Sequence, residues 1–320
     1  MTDSRRPFRF GVVGEQIRSG PELVSTARRA EELGYATLLL RDHFVAAEFG
    51  DQLAPMVALT AAAAATRTLR VGSLVLDNDY RHPVLLAKEA ATLDVVSGGR
   101  LELGIGAGWL RQEYEAAGMP FDPPGVRVGR LEEAVRVLKG LFAGSAFSFA
   151  GRHYAITDLR SFPRPVQRPH PPILIGAGSR RMLGIAGREA DIVGILPRAL
   201  PDGTISEDLR ERSPAAIAEK VEWVRQAAGD RFEEIELSAM VTVAVAGDQR
   251  GAAERLATER GWGRDAAGQV LDMPSMLIGP VDRIVEALQT RRDRVHLSYY
   301  VVSDADMEAL APVVDRLAGR

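Results

Sequence analysis

The chain contains no cysteine. That excludes disulfides, thiolate metal sites and cysteine nucleophiles together. It also lacks an apolar run long enough to span a bilayer. The longest candidate, "MVALTAAAAAT" at 56–66, is short and alanine-rich and reads as a packed helix. A charge surplus is missing too: 40 Lys and Arg face 43 Asp and Glu, for a net charge of −3. Such a balance predicts neither a nucleic-acid partner nor a membrane surface. The pairs Arg180-Arg181 and Arg291-Arg292 fall on helical stretches and read as solvated faces. The N-terminal "MTDSRRPFRF" has no apolar signal-peptide core and runs straight into a strand, so the chain reads as soluble and cytoplasmic. Three catalytic motifs are absent as well. There is no H-E-x-x-H, no G-x-S-x-G and no Walker lysine, which argues against a metal hydrolase, a serine nucleophile elbow and a nucleotide triphosphatase.

What remains is an alternation of strand and helix from end to end. Apolar runs at 8–13, 36–40, 69–75, 101–106, 171–178, 191–196, 235–246 and 295–302 read as strands. Between them lie helical patterns. In 21–34, Pro21 suits a first turn, Leu23, Ala27, Ala30 and Leu33 share a face, and Gly34 stops the helix. In 127–142, Leu131, Ala134, Val135, Leu138 and Leu141 form one stripe. The strands are continuous apolar runs, as expected of parallel strands buried on both sides. Eight strand–helix units predict a (β/α)8 TIM barrel in one domain over 1–320, with a doubly wound open sheet as the alternative. Loop insertions are expected near 106–126, 143–172 and 197–213, the second with a small hairpin at 147–156.

A barrel places its chemistry at the C-terminal ends of its strands. There, "TLLLRDHF" (37–44) runs three leucines into Arg41, Asp42 and His43. His43 is the one of five histidines with a strand-end address, and an imidazole suits proton transfer. His82 stands at a helix start, His153 and His170 in the insertions, and His296 inside the eighth strand. After the third strand come Ser73, Leu74, Asp77, Asn78 and Asp79. Two glycine loops follow the fourth and fifth strands: Gly106-Ala107-Gly108-Trp109 and Gly176-Ala177-Gly178-Ser179. Neither fits a dinucleotide fingerprint. The first reads as a tight bend. In the second, the amides at the helix start are either a phosphate site or simply the turn that Ser179 caps.

"LGYATLLLRDHF", "LRVGSLVL", "HPVLLAKEAATLDVVSGGRLELGIGAGW", "PPILIGAGS" and "LIGPVDRIVEAL" occur in the order found in the luciferase-like monooxygenase superfamily. The chain resembles most its branch that uses the deazaflavin F420. The resemblance implies an oxidoreductase passing a hydride between F420 and a small organic substrate. It makes Asp42 and His43 the pair beside the ring, with His43 the proton-transfer residue. It puts a bulge with a non-prolyl cis peptide at Ser73–Leu74, supporting the ring. Gly106, Ala107 and Gly108 pass near the cofactor, and Gly176, Ala177, Gly178 and Ser179 cradle its phosphate. Sugar-phosphate dehydrogenases of that branch carry a glutamate where this chain has Trp109, so Trp109 is expected to pack on the ring or an apolar substrate. The alternatives implied are an FMN-dependent two-component monooxygenase, served by a separate reductase, and a cofactor-binding protein without turnover. A homodimer is expected, and no metal site.

Overall fold

The computed structural model describes residues 6–46 and 50–320; residues 1–5 of the N-terminal stretch and 47–49 lie outside them. The alternation read from the sequence closes into a barrel of eight parallel strands. They are β1 (Arg9–Gly14), β2 (Thr37–Leu40), β3 (Arg70–Ser73), β4 (Leu101–Gly106), β5 (Ile173–Ala177), β6 (Ile192–Ile195), β7 (Glu236–Met240) and β8 (Leu297–Ser303). The hydrogen-bonded order is β3-β2-β1-β8-β7-β6-β5-β4, and Val71 and Gly72 pair with Leu101 and Glu102 to close the ring. The helices are α1 (Gly20–Glu32), α2 (Pro55–Ala65), α3 (Pro83–Ser97), α4 (Pro124–Phe142), α5 (Arg180–Glu189), α6 (Pro214–Ala228), α7 (Val281–Val295) and α8 (Met307–Leu317). Local signals set their ends: the Ser19 hydroxyl caps α1, and His82 caps α3, which stops at a left-handed Gly98.

Burial on both faces explains the unbroken apolar runs. Outward side chains such as Leu38, Leu40, Val71 and Leu103 pack under the helices. Inward ones, Val13, Leu39, Leu174, Ile192, Tyr299 and Val301, fill the lumen. Below them, at the strands' N-terminal ends, charges form a plug. Glu102 pairs with Arg9 and, at 2.6 Å, with Arg70, while Arg9 also meets Glu236 at 2.5 Å. Charges occupy that end of the lumen, and the cavity lined by the strand-end loops lies at the other.

The stretches read as insertions hold a short helix (Arg111–Ala116), an antiparallel hairpin (Phe147–Ala150 with Ala155–Leu159) and a 3-10 turn (Leu209–Arg212). Two expectations need correction. The run at 235–246 is two strands, not one. Val241 still donates to the Val301 carbonyl, but Thr242 donates to that of Ser275. From there Thr242–Val245 pairs in parallel with Met276–Gly279, enclosing helix Gln249–Glu259 and its own small core around Ala253 and Val270. His296 is also not inside a strand. It takes a left-handed conformation (φ 59°) and ends α7.

Candidate active site

The strand C-terminal ends surround a cavity of about 250 Å³. Its wall includes Asp42, His43, Leu74, Trp109 and the two glycine loops 106–108 and 176–178 with Ser179. Of the residues expected to meet the cofactor, Ser73 lies outside it. Its hydroxyl is turned into β4, where it donates to the Gly104 carbonyl at 2.8 Å and accepts from the Gly104 amide at 3.1 Å. The non-prolyl cis peptide joins Leu74 to Val75, one bond beyond Ser73–Leu74. The chain then rejoins β4, with Leu76 and Asp77 opposite Ile105 and Gly106.

Glycine shapes the floor. Gly176 and Gly194 are direct neighbours across β5 and β6, and both line the cavity. Neither glycine puts a side chain on the floor, and a Cβ on Gly176 would lie 3.1 Å from Leu196 Cδ1, so Leu196 borders the space the glycines leave. At Gly178 a Cβ would collide with the Pro197 carbonyl. Gly108 (φ 70°) has Tyr114 Oη and the Asp77 carboxylate where a Cβ would stand.

Asp42 and His43 face different partners. Asp42 forks onto Arg81, at 2.6 and 3.0 Å, and accepts the Asp77 amide at 3.0 Å, tying the β2 loop to the β3 loop. Burial alone would lower the Arg81 pKa; the bond and charge of Asp42 outweigh it and raise it. The His43 ring is 12 % exposed, and its Nδ1 lies 2.9 Å from Glu113, which is 1 % exposed. Glu113 also accepts the amides of Phe44 (2.6 Å) and Val45 (3.1 Å) and the Tyr80 hydroxyl (3.0 Å). One carboxylate therefore sets both the loop that carries His43 and the ring itself. Trp109 stands edge-on to the imidazole, with ring centroids 6.2 Å apart.

Asp77 is the perturbed acid of the wall. Burial, reinforced by the charges of Asp79 and Asp42, pushes its pKa up to about 7 despite bonds from the Asp79 amide and the Tyr114 hydroxyl. Arg41 bonds Glu15 at 3.1 Å through Nε and contacts Met240 Sδ at 3.3 Å, joining the mouths of β1, β2 and β7. It also borders a second cavity of about 470 Å³ beneath the 242–279 unit.

Asp77 was singled out only by its place after the third strand; sequence reasoning missed Glu113, Tyr80, Arg81 and Arg127. Of these four, only Glu113 left a trace. It sits four residues past Trp109, in a stretch read as irregular that forms the helix Arg111–Ala116.

The family described as luciferase-like monooxygenase matches residues 7–296. An F420-dependent glucose-6-phosphate dehydrogenase of Kribbella flavida is 30% identical over 251 residues, 77% of this chain and 72% of that one. An FMNH2-dependent dimethylsulfone monooxygenase of Pseudomonas putida is 36% identical over 166 residues, 52% of this chain and 46% of that one. The chain spans about half the length of several curated relatives that it matches. Among solved structures, the coenzyme F420 dependent tetrahydromethanopterin reductase of Methanopyrus kandleri shares the fold. It superposes with a TM-score of 0.75 at 19% identity, over 97% of this chain and 99% of that one. The family match over nearly the whole barrel, with the K. flavida relative aligned along most of its length, establishes that this chain belongs to the luciferase-like monooxygenase family.

Proposed function

We propose that this protein is an F420-dependent oxidoreductase acting on a small organic substrate. The observation that carries the reading is His43 on the cavity wall, held through Nδ1 by a buried glutamate, beside a glycine floor. The residues present fit a planar ring with a phosphate tail. The Gly176–Gly194 floor leaves room for a flat body, and the α5 N-terminus offers amides to an anion. When bound, the deazaflavin supplies the carbon that gives or takes the hydride.

The other tasks fall to the chain. His43 moves the proton at Nε2, the nitrogen turned away from Glu113. Glu113 orients that ring, and Asp42 acts one step back, through Arg81 and the Asp77 amide. Leu74 gives apolar support to the ring, and Gly106, Ala107 and Gly108 let it approach the β4 backbone. Trp109 shields the imidazole from water. Gly176, Ala177, Gly178 and Ser179 hold the phosphate.

A second reading is an FMN-dependent monooxygenase with a separate reductase, favoured by the 36% identical P. putida relative. Oxygen uptake with reduced FMN, absent with reduced F420, would select it. Redox turnover of F420 against a panel of small alcohols and carbonyls, lost in His43→Ala, is the result expected of the first. Cofactor binding untouched by His43→Ala, with no turnover by either ring, would leave a binding protein only.

The working form is proposed to be a homodimer. Helices α2 and α3 are apolar on their outer sides as well as their inner ones: Val57 is 75% exposed and Leu85 52%. Val57→Glu is expected to convert a dimer to a monomer in light-scattering chromatography.

A further inference from the structure

The second cavity, of about 470 Å³, lies where the chain leaves β7: Val241 and Thr242 line it, and so do Ser275 and Met276 of the paired segment. It shares a wall with the first. Arg41, Leu196, Pro197, Ile205 and Met240 border both. Ile195, Ile217, Ala239 and Leu297 continue the apolar lining. Three arginines line it as well. Arg41 is answered by Glu15. Arg212 and Arg260 are not matched in this way. Arg212 is 13 % exposed; its Nη2 donates to the Ser206 carbonyl at 3.1 Å and reaches Glu207, a carboxylate 70 % exposed, at 3.4 Å. Its Nε is buried without a hydrogen bond. Arg260 donates from Nη2 to Thr242 Oγ1 at 3.0 Å, and among the described residues no carboxylate pairs with it.

The two guanidiniums stand 5.4 and 5.8 Å from the centroid of one ring, that of Trp262. Burial pushes the Arg212 pKa down; the charge of Glu207 opposes the fall and that of Arg260 adds to it. Two positive charges thus repel one another at one cavity wall, with a single solvent-exposed carboxylate to offset them. The acids of the lining are engaged elsewhere. Glu15 holds Arg41, Glu211 accepts from Arg198 at 3.0 Å, and Asp306 accepts the Val243 amide at 3.2 Å. A small anion set against both guanidiniums would supply the missing counter-charge. Its own charge is limited by Glu15, Glu211 and Asp306, which share the lining. They favour a monoanion over a dianion such as a phosphate monoester.

We infer that the second cavity takes the far end of the substrate, and that this end is a carboxylate held by Arg212 and Arg260. An apolar chain, lying along Leu196, Ile205 and Met240 of the shared wall, joins it to the carbon that reacts beside His43. The inference deepens the proposed function and rests on it for the reacting carbon; the carboxylate site itself does not.

Binding is read by calorimetry in the full chain, with no cofactor added. Octanoate is compared with octanamide, its neutral counterpart of the same shape, in wild type, Arg212→Met and Arg260→Met. Wild type is expected to prefer octanoate by roughly 10- to 100-fold, the range of one charge-assisted contact. Each variant should lose most of that preference. The ratio cancels damage to the 197–213 loop, which weakens both ligands alike, and Arg260, being exposed, can be replaced without emptying the core. Equal binding of acid and amide by wild type, or a preference intact in both variants, overturns the inference. Octyl phosphate binding more tightly than octanoate, and losing that lead in the same variants, overturns the assignment to a monoanion. Turnover separates the carboxylate site from the cofactor reading. With F420, 7-hydroxyoctanoate is expected to exceed 2-octanol in kcat/KM, and Arg260→Met to raise KM for the acid with kcat unchanged. Octanoate binding that depends on the arginines, without turnover by either ring, would sink the cofactor reading and leave the carboxylate site standing. F420 oxidising 2-octanol as well as the hydroxy acid would do the reverse.

Discussion

Glu113→Gln probes the imidazole without emptying its surroundings. In the native chain Glu113 Oε1 accepts the amides of Phe44 and Val45, and Oε2 faces His43 Nδ1 and the Tyr80 hydroxyl. Glutamine can place its oxygen where Oε1 stands and its NH2 where Oε2 stands. The two amide bonds survive in neutral form. Each loses about 1 kcal/mol, the difference between charged and neutral hydrogen bonds, so stability should fall by about 2 kcal/mol. The NH2 group now donates to Nδ1, which forces the imidazole proton onto Nε2. The nitrogen facing the cavity changes from acceptor to donor. Nitrogen-15 NMR of labelled protein reads this directly, with the His43 signals assigned by their loss in His43→Gln. Proton transfer should weaken by about 10²–10⁴, the span that general acid–base catalysis contributes. Glu113→Ala should differ in kind. It strands the two amides at a cost of about 1–3 kcal/mol each and loosens the loop. An unchanged His43 tautomer in Glu113→Gln, with undiminished turnover, would refute the reasoning.

Other outcomes follow from neighbouring groups. Asp77 has its pKa raised from 3.8 to about 7 by burial, so the folded chain holds a proton there that the unfolded chain releases. Stability should therefore decline as pH rises from about 4 to about 7 and then level off, by about 4 kcal/mol over that interval. Asp77→Asn should remove the decline, unfolding in urea at higher concentration than wild type at pH 8 and at a similar one at pH 4; a parallel pH profile would contradict it. Asp42→Ala leaves Arg81 without its carboxylate and should cost about 3–5 kcal/mol in chemical denaturation. Gly108→Ala puts a Cβ into Tyr114 Oη and the Asp77 carboxylate at a left-handed position, and should destabilise by more than about 1–2 kcal/mol, measured the same way.

The barrel was legible because each parallel strand, buried on both faces, wrote a continuous apolar run, and because helix stops such as Gly34 and Gly98 are local signals. The same property hid the break at Val241. The chain leaves β7 and enters a second apolar strand, only half-buried, without a Gly or Pro between them, and that strand's partner, Met276–Gly279, is only four residues long. His296 was hidden for the opposite reason: a non-glycine residue takes the left-handed cap at the end of α7. Within the site, the residues directly after strands stood out by position alone, as the Asp42-His43 pair and the glycine loops did. Glu113, Arg81 and Arg127 act by reaching across to other loops, and those partnerships exist only once the barrel has closed. Asp42 shows the limit of adjacency in sequence. It sits beside His43 in the chain, yet its carboxylate is spent on Arg81 while the imidazole turns to Glu113.

The central claim is that the cavity takes a deazaflavin. Oxidised F420 and FMN are titrated separately into the purified chain, following quenching of tryptophan emission, to which Trp109 on the cavity wall contributes. The account predicts saturable quenching by F420 at lower concentration than by FMN. Saturable binding of FMN with none of F420 would contradict it.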